Sequence, residues 1–186
     1  MRYPILKIYT EKIVENGQIL IKECAKNGIS LWAVTKGMSA HPEIALAFKK
    51  AGFQILADSR ISNIVKMKEA GIESEYALIK IPMPSEIEDT VRFCDYSLVS
   101  ELESILEMSS TCDRLKKEHK IVFMIDMGDL REGFWPTELD RTYEKLKDIS
   151  PYLQISGVGA NFACASGALP GRENLTRLLE YRKEME

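Results

Sequence analysis

Short apolar runs alternate with amphipathic stretches along most of this chain. After an apolar lead from Tyr3 to Tyr9, helical spacing predicts a first helix over Glu11–Asn27. Ile13, Val14, Leu20, Ile21 and Cys24 form one face, Thr10 is a candidate cap and Gly28 a stop. Leu31–Thr35 reads as a buried strand, followed by a helix over Pro42–Ala51 with proline in its first turn and Gly52 beyond its end. Phe53–Ala57 is the next strand. A helix capped by Asp58 or Ser59 then carries Ile61, Ile64, Val65 and Lys68 on one side, closed by Gly71.

The same rhythm continues to the end. Strands are predicted at Ala77–Ile81, Tyr96–Val99, Ile121–Ile125 and Leu153–Val158. Between them lie helices over Ser85–Val91, from Ser100 to about Lys117, and from Thr137 onward. Ser100-Glu101-Leu102-Glu103 has capping-box spacing. A last helix starts near Arg172. Repeated strand–helix units demand parallel strands with helical crossovers, hence an α/β fold. Either an open doubly wound sheet or a (β/α) TIM-type barrel satisfies that. A full barrel takes about 200–250 residues, so the 186 residues here correspond to about six of eight units. The expected architecture is one domain over residues 1–186, an incomplete barrel short at its carboxyl-terminal side.

Composition narrows the partners. The chain is 45% apolar and 28% charged with a net charge of -3, which fits a globular core and gives no basic surface for nucleic acid. No apolar run approaches the ~18 residues of a membrane span, and the amino terminus does not read as a signal peptide. Cys24, Cys94, Cys112 and Cys164 are scattered without a CxxC pair. They read as reduced thiols of a cytoplasmic protein, mostly core fillers. His41 reads as a helix-start residue and His119 as a surface one; two histidines without a shared motif give no metal site.

Three strand ends carry candidate chemistry. Val34-Thr35-Lys36-Gly37 puts an amine where α/β folds build their sites, and partial desolvation there would prepare it for Schiff-base chemistry. A surface lysine after a strand is the plainer reading. Met124 to Phe134 runs from an apolar strand into a loop dense in charge and glycine. Arg131 in it either holds a carboxylate or pairs with Asp126, Asp129 or Glu132. Gly157 to Cys164 has small residues that let backbone approach a flat ligand.

As a set, these segments and Ala57-Asp58-Ser59-Arg60-Ile61-Ser62-Asn63 resemble the alanine racemase-like pyridoxal-phosphate enzymes, most closely the ornithine racemase branch. The resemblance covers almost the whole chain. It implies a pyridoxal 5'-phosphate cofactor on Lys36 as internal aldimine, with Lys36 also one of two acid–base groups of an amino-acid racemase. It places Arg131 near the cofactor hydroxyl and substrate carboxylate. Asn161 stands where alanine racemases carry a histidine beside the pyridine ring, and Ser59 joins Asp58 and Arg60 at the mouth after the second strand. A small amino acid is the implied substrate, and Asp129 or Glu132 is a candidate carboxylate for a distal ammonium. No residue is assigned as second base or as phosphate ligand. An incomplete barrel implies that this chain alone lacks activity; alternatives are a non-catalytic pyridoxal-phosphate homeostasis protein, a Schiff-base aldolase, an assembly module without chemistry, or an inactive truncated fragment. Unpaired edges at the first and sixth strands predict a homodimer or larger homo-oligomer.

Overall fold

The structure, a computed structural model, describes residues 3–164 and 167–185. Six strands follow one another in chain order in one parallel sheet: β1 (Trp32–Val34), β2 (Ile55–Asp58), β3 (Glu75–Leu78), β4 (Tyr96–Val99), β5 (His119–Met124) and β6 (Leu153–Gly159). Sequential parallel order with helical crossovers is the topology of consecutive units of a (β/α) barrel. The helices are α1 (Thr10–Ala25), α2 (Pro42–Ala51), α3 (Ile61–Glu69), α4 (Ile87–Phe93), α5 (Leu102–Leu115), α6 (Leu139–Leu146) and α7 (Arg172–Met185). The chain divides into two compact units, residues 1–76 and 77–186.

In the first unit α1 packs on α2. Gly17 makes that approach possible, because a Cβ there would lie 2.7 Å from the Ala51 Cβ and 2.9 Å from the Phe53 ring. Proline at its start and Gly52 at φ +109 beyond its end bound α2 where the sequence places them. β1 pairs with β2 from Trp32↔Ile55 to Val34↔Ala57. This register sets the two strand ends, and the residues just beyond them, side by side.

In the second unit the longest pairing is β5 with β6, from His119↔Leu153 to Met124↔Gly159, with a register shift at Ile121/Val122. Ile105, Met108 and Cys112 of α5 pack with Ile121 and Phe123 of β5 and with Leu139 of α6. Phe123 stacks on Phe134 with ring centroids 4.1 Å apart, which ties the strand to the far end of the loop that follows it. Cys94 and Cys112 are buried, and burial pushes the Cys112 thiol up to about 11.

Several local expectations are corrected. Thr10 is the first residue of α1 rather than its cap; Tyr9 stands at the cap position with no side-chain bond. The Ser100 capping box does not form: Glu101 takes the cap position, and the Ser100 hydroxyl is buried without a hydrogen-bond partner among the described residues. β3 begins and ends earlier than Ala77–Ile81; Tyr76 is buried within it, and its hydroxyl donates to the Ile72 carbonyl.

His119 is buried rather than exposed, at 1% of its surface. Its Nε2 lies 2.8 Å from the Ser97 hydroxyl and its Nδ1 3.2 Å from the Cys94 carbonyl. A carbonyl only accepts, so Nδ1 carries the proton and Nε2 accepts from Ser97. Desolvation pushes this imidazole down from 6.5 to about 4. The unfolded chain therefore binds the extra proton between those pH values. Folding stability then drops as pH falls from 6.5 to about 4, by at most about 3 kcal/mol from this residue. Urea midpoints across that range should fall less steeply in His119→Asn than in the parent chain. Equal slopes would remove His119 as the source.

Candidate functional site

The first unit's candidate group is built around Lys36. β1 ends at Val34, and the chain turns at once through a single 3₁₀ turn, Lys36–Met38. Ser39 and Ala40 follow at φ 50 and 49, and the Lys66 ammonium donates to the Ser39 carbonyl at 3.0 Å. Lys36 itself is exposed, not partly desolvated as the strand-end reading supposed. Because β1 stops two residues before Lys36, its side chain leaves from the turn and not from the buried strand. Among the described residues its Nζ makes no hydrogen bond or ion pair.

What holds the turn is buried beside it. The Thr35 hydroxyl, in a residue 1% exposed, donates to Asp58 Oδ2 at 2.7 Å, and the Thr35 N–H donates to the Ala57 carbonyl at 2.8 Å. Asp58 is fully buried at the end of β2. Its Oδ1 accepts from the Arg60 N–H at 3.0 Å and from Asn63 Nδ2 at 2.9 Å. All of these donors are neutral. A buried carboxylate in such a place costs several kcal/mol unless its oxygens are satisfied, so the bonds fix β1, β2 and the start of α3 together. Asp58 stands two residues before Arg60, the cap residue of α3, so neither it nor Ser59 caps that helix directly. Ser59 is half-buried and Arg60 exposed at the same bend. Thr35 and Asn63 were not singled out from sequence, since their role appears only once the register pairs Val34 with Ala57.

The second unit's candidate group lies in the loops after β5 and β6. Asp126 closes a tight turn, its Oδ1 accepting from the N–H groups of Gly128 at 2.7 Å and Leu130 at 3.2 Å. Gly128 at φ +107 and Gly133 at φ +125 take backbone shapes that other residues adopt only with strain. Phe134 returns to the strand end, its N–H donating to the Met124 carbonyl and its carbonyl accepting from the Asp126 N–H. Asp129 is 2% exposed, and its Oδ1 accepts from the Cys164 N–H at 3.0 Å.

Arg131 is exposed. Its Nη1 donates to Cys164 Sγ at 2.8 Å, and its Nε stands 3.7 Å from Glu132 Oε1. Arg131 pairs with Glu132, one of the three acids that sequence offered, while Asp126 and Asp129 each accept from backbone N–H groups. Asn161 Nδ2 donates to the same Glu132 oxygen at 2.8 Å. The structure thus brings Arg131, Glu132, Asn161 and Cys164 together, with Asp129 beneath them. The group can offer a guanidinium nitrogen and an amide to an anionic or polar ligand. Among the described residues, no group of three His, Cys, Asp or Glu side chains is arranged to hold a metal ion, and no helix is long and apolar enough to cross a membrane.

The family described as "Alanine racemase, N-terminal domain" matches residues 8–186. A lysine racemase from Thermotoga maritima is 36% identical over 186 residues, all of this chain and 51% of that protein. An ornithine racemase from Acetoanaerobium sticklandii is 32% identical over 185 residues, 98% of this chain and 51% of that protein. The chain spans about half the length of these curated relatives. Among solved structures, an alanine racemase from Bartonella henselae with covalently bound pyridoxal phosphate superposes with a TM-score of 0.79 at 18% identity, covering 96% of this chain and 53% of that one. That likeness establishes the fold.

Gly133 provides a direct check on the β5 loop. A Cβ there would collide with the backbone of Ile125 and Asp126, and the positive φ adds strain of its own. Gly133→Ala should lower stability by about 3 kcal/mol or more in urea unfolding. A loss below about 1 kcal/mol would show that the loop can relax away from this path.

Proposed function

Because the chain belongs to the alanine racemase N-terminal domain family, we propose that it is the barrel portion of a pyridoxal-phosphate-dependent amino-acid racemase. Lysine and ornithine racemases among its relatives favour an amino acid with a distal amine as substrate. The observation that carries the proposal is the exposed amine of Lys36, without a hydrogen bond or ion pair among the described residues, on a turn whose base is clamped by Thr35 and Asp58.

The donor set fits the cofactor. An aldehyde needs a primary amine that is not tied up in an ion pair, and Lys36 provides one. An anionic oxygen on a cofactor or amino acid needs a directed cation, and among the described residues Arg131 retains a guanidinium nitrogen beyond its hydrogen bond to Cys164 and its ion pair with Glu132. Asn161 and Ser59 add polar groups at their own strand ends. Bound to Lys36, pyridoxal phosphate supplies an electron sink for the charge left when a Cα proton departs.

The chain's own residues then divide the work. Lys36 would hold the cofactor through Nζ, and as one of two acid–base groups that same Nζ would accept or deliver the Cα proton on one face only. Thr35 and Asp58 keep the turn that carries Lys36 from drifting. In the second unit, Arg131 and Asn161 would offer a guanidinium nitrogen and an amide to an anionic or polar ligand. Asp129 and Glu132, the acids considered for a distal ammonium, already bond to Cys164 and Asn161, so the distal amine is left without an assigned partner.

Incubation with pyridoxal phosphate, borohydride reduction and peptide mapping tests this reading. One stoichiometric adduct at Lys36 is expected. Exchange of the Cα proton of ornithine or lysine in heavy water should accompany it and fall at least about 100-fold in Lys36→Ala. Scattered labelling or none, on folded protein, would overturn the proposal.

A further inference from the structure

We propose that Glu132 is the positioning residue of the β5 and β6 loops: its carboxylate sets the direction in which Arg131 and Asn161 meet a planar anion. The identity of that anion as an amino acid's carboxylate rests on the function proposed above; the positioning itself does not.

The geometry is specific. Glu132 is the more enclosed partner, its side chain 12% exposed against 39% for Arg131. One oxygen, Oε1, accepts from Asn161 Nδ2 at 2.8 Å and stands 3.7 Å from Arg131 Nε. A carboxylate oxygen only accepts, so the NH₂ end of Asn161 is the end that faces it. Turning that amide over would set two acceptors against each other, which fixes its Oδ1 on the opposite side. Arg131 is oriented by one ion pair and one hydrogen bond. Its Nε lies beside Glu132 and its Nη1 bonds to Cys164, and because a guanidinium is planar, two placed nitrogens place the third. Nη2 is without a partner among the described residues and is the donor left for a ligand.

Glu132 also sets a negative charge beside Arg131. Recognition of an anion here then depends on direction more than on net charge, and that distinguishes the proposal from simple attraction. Deleting a negative charge beside an arginine should tighten anion binding if Coulomb attraction governs. It should weaken binding if Glu132 governs through orientation.

Glu132→Ala and Glu132→Gln separate the two, the glutamine retaining an acceptor for Asn161. In the unloaded chain, nitrogen–proton resonances of the Asn161 side chain and of Arg131 Nε should both move in E132A. In E132Q the Arg131 resonance should move and the Asn161 resonances should stay closer to their parent positions. With pyridoxal phosphate bound, the apparent affinity for L-ornithine, read from the cofactor's visible band, should weaken about tenfold in E132A, with E132Q between. Unmoved resonances in E132A, or ornithine binding as tight as in the parent chain or tighter, would overturn the proposal. If the parent chain takes no cofactor at Lys36, the proposed function fails, and the resonances of the unloaded chain alone decide the role of Glu132.

Discussion

A carboxylate with no access to water organises the amine-bearing end of this chain. Asp58 is fully buried, yet its partners among the described residues are a hydroxyl, a backbone N–H and a side-chain amide rather than a cation. Such a group tolerates its position only while each bond is made, and each bond reaches a different piece of structure. Thr35 belongs to the end of β1, Arg60 to the entry of α3, and Asn63 to its first turn. The requirement to satisfy one side chain thereby ties the ends of β1 and β2 to the start of α3. Lys36 follows Thr35 directly and inherits that fixed base while its own amine stays in solvent.

The second unit uses the same device. Asp126 ends the β5 run as Asp58 ends β2, and each carboxylate accepts from the N–H two residues further on, Gly128 in one case and Arg60 in the other. In the β5 loop the glycines carry the backbone through turns closed to other residues, and the stacked Phe123 and Phe134 close the loop at its base. Arg131 can be exposed and still hold its direction because Glu132 and Cys164 engage two of its nitrogens. Both loops separate a buried anchoring acid from an exposed functional cation.

The sequence carried the alternation of strands and helices plainly, and with it the parallel sheet. Pro42 and Gly52 state the bounds of α2 outright, because one is suited to a helix start and the other to the left-handed exit. Lys36 and Arg131 were legible as residues after strands. Their surroundings were not, because they depend on pairings distant in sequence. Thr35 meets Asp58 only through the β1–β2 register, and Glu132 meets Asn161 across 29 positions. His119 failed for the same reason: a lone histidine at a strand start looks solvated until Ser97 and the Cys94 carbonyl are found around it. Ser100 shows the opposite error, a good local cap pattern that the surrounding packing does not use.

The most direct test of this account is Thr35→Val, which removes one hydroxyl with almost no change in shape. The expected result is a folded protein less stable by about 1–3 kcal/mol, with uptake of pyridoxal phosphate at Lys36 reduced severalfold in reduction and peptide mapping. Unchanged uptake at Lys36 in a folded, equally stable variant would contradict it, because the amine would then not depend on the carboxylate beneath it.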